Sequence, residues 1–330
     1  CDVQVIMTKN ATQFITPLTF ETLCNTRCMV DTFDRNFQYN VEHVALAKRA
    51  NLVMIAPASA NIIAKMAHGI ADDMLSTTVL ACRCKKLVAP AMNTNMFENP
   101  ITQDNLNTLR HYGFGIIEPA VGMLACKDVG AGKLPKEELL YNHILQEILY
   151  EKDLAGKKVL ITAGPTCEPV DPVRIYTNRS SGKMGYSLAK ECSLRGADVT
   201  LVTGKTALEP WPFVKVVPIE TAQQMFEEVT SRAPEMDIII KAAAVADYRP
   251  KTVADEKIKK SDGEFVLEFE RTQDILKYLG EHKPDGQFLC GFSMETENML
   301  ENSRIKLSKK NADMIVANNL KVQGAGFAGD

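Results

Sequence analysis

The residues able to do chemistry sit in loops that follow short apolar runs. Ala56-Pro57-Ala58-Ser59-Ala60-Asn61 closes one such run and opens a helix. Ser59 is placed to cap that helix, and the free amides behind it suit an anion or a polar ring edge. An ordinary capped turn would read the same way. Ala89-Pro90-Ala91-Met92-Asn93-Thr94-Asn95-Met96 closes the next run. Its methionines offer a soft apolar wall, and the Asn93 amide can both donate and accept. The glycine-rich stretch 122–133 encloses Cys126 and could hinge a thiol over a site, although a lone cysteine is more often inert. His43 falls on a polar helical stretch, where the default is a solvated residue.

A second group of loops lies further along. Thr162-Ala163-Gly164-Pro165-Thr166 follows an apolar run, then come Asp171-Pro172-Val173-Arg174 and Thr177-Asn178-Arg179-Ser180-Ser181-Gly182-Lys183-Met184-Gly185. Small residues, hydroxyls and a helix start at Gly182 make a phosphate cradle in physical terms. It is not a P-loop, because Thr177 stands where that motif needs its first glycine, and it is not Gly-x-Gly-x-x-Gly. Ala242-Ala243-Ala244-Val245-Ala246-Asp247 would let a flat ligand approach the backbone, and Asp247 could hold a metal or a ribose. Glu256-Lys257-Ile258-Lys259-Lys260 is either a solvated face or a triphosphate clamp. Lys306 and Lys310 lie one helical turn apart, as surface charge or as ligands.

These loops need a scaffold of alternating strands and helices. The expected strands of the first half are Val3–Thr8, Leu52–Ala56, Lys86–Pro90 and Gly115–Ile117, with helices over 60–67, 72–81, 99–111 and 136–149. The charged stretch 150–158 reads as a linker, dividing the chain into domains 1–150 and 151–330. The second half repeats the pattern, with strands at 159–162, 199–202, 214–217, 237–241, 288–292 and 314–317 and helices at 182–195, 221–232, 273–279 and 297–309. Continuous apolar strands suit parallel sheets covered on both faces, so the expected fold class is α/β with two Rossmann-like three-layer domains.

Composition agrees with two globular domains. The 330 residues are 45% hydrophobic and 24% charged, with net charge −3. No basic excess advertises nucleic acid or an anionic membrane, and no apolar run reaches the roughly 18 residues of a membrane span. The nine cysteines form no framework or zinc spacing, which reads as free thiols in a reducing cytoplasmic compartment. The chain opens on Cys1-Asp2-Val3 as a strand already in progress and stops in a glycine-rich loop at 324–330, so both ends read as cut.

In order, His43, Pro57-Ala58-Ser59-Ala60-Asn61, Pro90-Ala91-Met92-Asn93 and the flap with Cys126 resemble the homo-oligomeric flavin-containing cysteine decarboxylases. The resemblance implies a flavodoxin-like domain with FMN as cofactor. It also implies His43 as acid/base or carboxylate-orienting group, Asn93 on the substrate carboxylate and Cys126 as proton donor. Ser59, Ala60, Asn61, Ala91 and Met92 would line the FMN, with Thr8 near its phosphate end. The second set of motifs resembles phosphopantothenate–cysteine ligases. That implies CTP with Mg²⁺, activation of 4′-phosphopantothenate as an acyl-cytidylate, and attack by the cysteine amine. Asn178 would contact the acyl-cytidylate, Lys257 would be catalytic, and Arg174 would sit near the acyl substrate. Gly182, Asp247, Lys257, Gln273, Asp274, Ile275, Phe292, Lys306 and Lys310 would hold CTP, with Thr272-Gln273 departing from the usual Asn-Pro. The metal ligands stay open.

Together the halves resemble the bifunctional phosphopantothenoylcysteine decarboxylase/phosphopantothenate–cysteine ligases of coenzyme A synthesis. Such a family implies flavin-domain trimers and ligase-domain dimers, small-molecule partners, and no nucleic acid or membrane. The alternatives are a chain with ligase activity only, its flavin domain an inactive scaffold; a non-catalytic regulatory subunit on the flavodecarboxylase fold; and a decarboxylase acting on a peptide's C-terminal cysteine. Cys126 and the ligase motifs count against the regulatory subunit, and the ligase motifs count against the peptide decarboxylase.

Overall fold

A computed structural model describes residues 2–33, 41–124, 127–259, 265–295 and 298–319. By its contacts the chain divides into two units, Cys1–Leu149 and Tyr150–Asp330.

The first unit runs through α1 (Pro17–Cys24), α2 (Glu42–Arg49), β1 (Leu52–Ala58), α3 (Ala60–Ala67), α4 (Met74–Ala81), β2 (Lys85–Pro90), α5 (Thr94–Glu98), α6 (Pro100–His111), β3 (Gly115–Ile116), β4 (Ala120–Met123), β5 (Val129–Lys133) and α7 (Glu137–Ile148). β1, β2 and β3 form a parallel sheet in that order. Alternate side chains leave it on opposite faces. Ile55 and Val88 pack with Ile62, Ile63, Val79, Leu106 and Leu109 of α3, α4 and α6. Leu87 and Ala89 pack on the other face with Leu52, Met54 and Leu140 of α7. Helix starts are written in the sequence: Asp73 and Ser76 make a reciprocal capping box at α4, and Asn99 caps α6 ahead of Pro100.

The expected strand Val3–Thr8 does not form a ladder. The segment is extended, but its pairing is one parallel bridge between Ile6 and Met29, with Met7 N donating to Met29 O and Met29 N to Val5 O. A strand needs a partner of matching length, and the run beside Met29 turns away at Asp31.

The second unit contains β6 (Lys158–Ala163), β7 (Cys167–Pro169), β8 (Ile175–Thr177), α8 (Lys183–Leu194), β9 (Asp198–Thr203), β10 (Lys215–Pro218), α9 (Ala222–Arg232), β11 (Ile238–Lys241), β12 (Tyr248–Pro250), β13 (Phe269–Arg271), α10 (Ile275–Glu281), β14 (Phe288–Glu295), α11 (Met299–Lys309) and β15 (Met314–Asn319). Its parallel sheet has the order β10-β9-β6-β11-β14-β15. That is a doubly wound sheet whose strand order reverses between β6 and β11. Leu160, Ile239 and Leu289 meet Met225, Val229, Ile275 and Leu279 on one face. Val159, Ile161 and Ala163 meet Ala189 of α8 and Leu201 on the other.

The charged stretch read as a linker does not run free. Lys152 Nζ donates to Leu194 O, Leu154 N to Arg195 O, and Asp153 pairs with Arg195, fastening the stretch to the end of α8.

Candidate active sites

In the first unit, β1 and β2 end side by side. Ala58 is paired with Pro90, and Ala91 N donates to Ala58 O at 3.0 Å. The loops carrying Ser59 and Asn93 are therefore neighbours at the carboxyl edge of the sheet, where α/β folds bind ligands. The Ala56–Pro57 peptide is cis. Ser59 caps α3 through a long bond from Ile62 N (3.5 Å), and Ser59 and Asn61 are exposed while Ala60 is half-buried. Asn93 caps α5, accepting from Asn95 N at 2.9 Å.

The glycine-rich stretch is a hairpin of β4 and β5 that docks beside Asn93. Met92 N donates to Gly132 O at 2.9 Å, and Gly132 sits at φ +133°, where an added Cβ would lie 2.2 Å from Met92 O. A Cβ on Gly130 would lie 2.5 Å from Thr94 Oγ1. Leu124 and Asp128 close the hairpin tip; Cys126 lies outside the described residues. His43 is half-buried in the first turn of α2, a helix that packs against α4. Thr8 accepts from Ala11 N and belongs to the segment paired with Met29. Among the described residues, neither His43 nor Thr8 hydrogen-bonds to the Ser59 or Asn93 loops.

Among its described residues the first unit bears one mark of a missing polar partner. Thr94 Oγ1, next to Asn93, is buried with no hydrogen-bond partner. Small Ala58 and Ala91, the Met92 wall, this unsatisfied hydroxyl and the exposed Ser59 and Asn61 fit a flat polar-edged ring.

The second unit's candidates meet at the seam between β6 and β11. Ala244 N donates to Gly164 O, Thr166 N to Ala244 O, Ala243 N to Thr162 Oγ1 and Ala246 N to Thr166 Oγ1. Asn178 joins this seam directly: its Nδ2 donates to Ala244 O at 2.6 Å, and its Oδ1 accepts from Ser180 N at 3.0 Å. Gly182 then starts α8 at φ +80°, where a Cβ would sit 2.9 Å from Thr206 Cγ2 and 3.3 Å from Gly164. Only glycine lets the three loops close here.

Lys257 is exposed on a loop held from below. Its neighbour Ile258 donates N–H to Asp171 Oδ2 and accepts from Arg174 Nη2, while Ala254 N donates to Val170 O. Burial pushes the Asp171 carboxyl up, but the amides of Val173, Ile258 and Arg174 and the Arg174 charge hold it below its usual range. Asp171 is thus an ionised anchor placing Arg174 and Lys257 on one rim; Lys260 lies outside the described residues. Asp247 is exposed, and its carbonyl accepts from Thr272 N. That bond brings Asp247 to the Gln273-Asp274-Ile275 turn, where Asp274 caps α10.

Lys306 and Lys310 are not loose surface charges. Lys306 Nζ donates to Phe292 O at 2.8 Å, and Lys310 is ion-paired with Asp274. Burial raises the Asp274 carboxyl, and Lys310, the Lys277 amide and the Lys241 charge more than reverse it. The sequence did not single out Thr166, Asp171 or Lys241 as individual residues. The first two were signalled only by their Gly-Pro-Thr and Asp-Pro-Val-Arg settings.

The Flavoprotein family matches residues 1–149, and the DNA/pantothenate metabolism flavoprotein C-terminal domain family, DFP, matches residues 154–330. The coenzyme A biosynthesis bifunctional protein CoaBC of Bacillus subtilis (strain 168) is 46% identical over 334 residues, spanning 100% of this chain and 82% of its own length. The chain belongs to the CoaBC family. A cysteine/cysteine sulfinic acid decarboxylase from an unknown prokaryotic organism is 44% identical over 318 residues, 95% of this chain and 89% of that protein. The crystal structure of the C-terminal domain of a CoaBC protein is 53% identical and covers 50% of this chain and 79% of that one, with a TM-score of 0.45. No helix among the described residues is long and apolar enough to cross a membrane.

Proposed function

We propose that this CoaBC-family chain is a bifunctional enzyme that joins 4′-phosphopantothenate to cysteine with CTP in its second unit and decarboxylates the product in its first. The observation that carries the reading is the seam at β6 and β11. Asn178, Gly182 and the Ala242–Asp247 loop converge on a doubly wound sheet's reversal, inside a chain matched along its whole length by CoaBC.

In the ligase reaction the carboxylate of 4′-phosphopantothenate attacks the α-phosphorus of CTP and pyrophosphate leaves. The cysteine amine then attacks the acyl carbon and CMP leaves. Both steps move negative charge onto phosphate oxygens, so fixed cations and aimed N–H groups are the need. Lys257, Lys306 and Lys310 supply the cations, and the first amides of α8 beyond Gly182 supply donors. Asn178, held by Ala244 and Ser180, presents its amide to the acyl-nucleotide, and Arg174 faces the acyl substrate's anion. Among the described residues no cluster of three His, Cys, Asp or Glu could cage a metal. Mg²⁺ would arrive on the triphosphate and meet a single carboxylate, Asp247.

In the decarboxylase unit the small-residue platform, the Met92 wall and the orphaned Thr94 hydroxyl support FMN, with Ser59, Ala60, Asn61, Ala91 and Met92 lining it and Thr8 toward its phosphate end. FMN, when bound, supplies oxidation of the thiol-bearing carbon, which makes loss of the carboxylate feasible. Asn93 orients that carboxylate, His43 carries acid/base work beside it, and Cys126 returns a proton. The assembly would be flavin-unit trimers joined by ligase-unit dimers, working on small molecules in the cytoplasm.

Mixing the protein with 4′-phosphopantothenate, cysteine, Mg²⁺ and CTP should release pyrophosphate, and phosphopantothenoylcysteine should then release CO₂. No pyrophosphate with CTP would overturn the ligase assignment. Free cysteine is the control suggested by the decarboxylase relative. CO₂ from cysteine but not from phosphopantothenoylcysteine would reassign the first unit. Absence of a flavin absorbance near about 450 nm would leave a ligase on an inactive scaffold.

A further inference from the structure

Lys241 is a charged residue that the proposed mechanism leaves unused. It is the last residue of β11, in register with Thr162 of β6 and Gly291 of β14, so it stands at the strand reversal. It is only 8% exposed. Its side chain runs beneath α9, where among the described residues Nζ donates only to Met225 Sδ, at 3.9 Å. A thioether is a weak acceptor and does not replace the hydration of an ammonium.

The charges facing Lys241 come from two further elements. Asp274, at the start of α10, attracts it, and Lys306 of α11 repels it. Asp274 is already engaged by Lys310 at the end of α11. Two lysines, Lys310 and Lys241, thus compete for one carboxylate, and the one not paired with it directly is the more deeply buried. Burial, aided by Lys306 and opposed by Asp274, lowers the Lys241 ammonium to about 7. Near neutral pH it is poised between its two forms.

We propose that Lys241 is a positioning residue of the nucleotide site: when a nucleotide's polyphosphate engages Lys306 and Lys310, Asp274 is freed from Lys310, becomes the counter-ion of Lys241, and Lys241 takes up one proton from solvent. The proposal rests on the reading of Lys306 and Lys310 as nucleotide ligands. The Nζ lone pair takes a proton from a solvent hydronium or buffer acid, forming one N–H bond and leaving the conjugate base in solvent, and an ion pair is exchanged. The exchange gives the buried Lys241 amine a counter-ion as it becomes charged, so its protonation does not strand an unpaired ammonium in the core. It also makes binding favour the protonated amine, so affinity must fall as pH rises above the amine's free-state value.

The test is calorimetric titration of the full chain with CTP and Mg²⁺ from about pH 7.5 to 9, in buffers of different ionisation heat. The nucleotide's terminal phosphate has then already ionised, since phosphate second pKa values lie near 6. The wild type should take up close to one proton per nucleotide at about pH 8, and its affinity should weaken by up to about tenfold per pH unit. Lys241→Met matches the volume and the apolar surroundings, and a thermal melt checks that it folds. It should bind CTP with no proton uptake and a flat pH profile over that range. Titration with 4′-phosphopantothenate in place of CTP should show no uptake in either protein. Uptake by wild type with 4′-phosphopantothenate would assign the coupling to the wrong anion. Wild-type binding of CTP without proton uptake, or the same uptake by Lys241→Met, would overturn the proposal while leaving the ligase reading intact. Failure of the wild type to bind CTP at all would remove that reading and this proposal together.

Discussion

The two sheets are ordered differently, and their sites differ with them. β1, β2 and β3 lie in chain order, so the loops after β1 and β2 leave side by side. Nothing in that sheet opposes them, and the hairpin β4–β5 supplies the facing wall, held by Met92 N and Gly132 O. In the second unit the order reverses between β6 and β11, and loops from distant parts of the chain leave the sheet in contact. They are joined by Thr162, Thr166 and Asn178 reaching Ala243, Ala246 and Ala244. A reversal builds a crevice from the sheet itself, whereas a sequential sheet needs an added element to close one.

The largest effect should come from cutting that seam chemically. Asn178→Asp replaces the donor to Ala244 O with a carboxylate oxygen, and Lys257→Gln removes a cation from the rim. Each should lower pyrophosphate release on the order of a hundred- to a thousandfold. CO₂ release from phosphopantothenoylcysteine should stay at the wild-type rate. Parallel loss of both activities would mean the two sites are not separate.

The contrast sharpens with one glycine from each site. Gly132→Ala puts a Cβ 2.2 Å from Met92 O. It should undock the hairpin and slow decarboxylation by about tenfold or more, leaving the ligase untouched. Gly204→Ala would place its Cβ 1.8 Å from Pro165 O, behind the second seam. There the carbonyl is part of the sheet's own end, so the loss should appear in stability, about 1–3 kcal/mol in denaturant titration.

Stability against pH should separate the units next. Lys241 titrates at about 7 in the folded chain and near 10.5 unfolded. Between those values the unfolded chain holds a proton the folded chain lacks, so stability of the second unit rises with pH from about 7 upward. The first unit has no buried lysine among its described residues. Its buried Cys82 is pushed from 9.0 up to about 11 by burial, so that unit should instead lose stability as pH climbs past 9. Thermal melts from pH 7 to about 8.5 should therefore shift the second unit only, and Lys241→Met should remove the shift.

The smallest expected difference lies at two helix caps. Ser59 accepts one 3.5 Å bond from Ile62 N. Thr221 and Gln224 make a full capping box at α9. Thr221→Ala should cost about 1 kcal/mol and Ser59→Ala about half that.

The sequence alone determined the alternation of elements and which loops carry chemistry. Apolar runs such as Val159–Thr162 read as strands covered on both faces, and caps such as Asp73, Asn99 and Thr221 mark helix starts through local hydrogen bonds. Those signals span a few residues, so they survive without a fold. Val3–Thr8 carried the same apolar signal yet made one bridge, because a ladder depends on a partner that its own residues do not specify. Pairings over long separations were decided only by the tertiary structure. Asn178 finds Ala244 across 66 residues, Lys310 finds Asp274 across 36, and Lys241, a strand-end lysine by sequence, becomes buried because α9 and α10 close over that face. Strand order sets those meetings, and strand order comes from how the faces pack together, a property of no single segment.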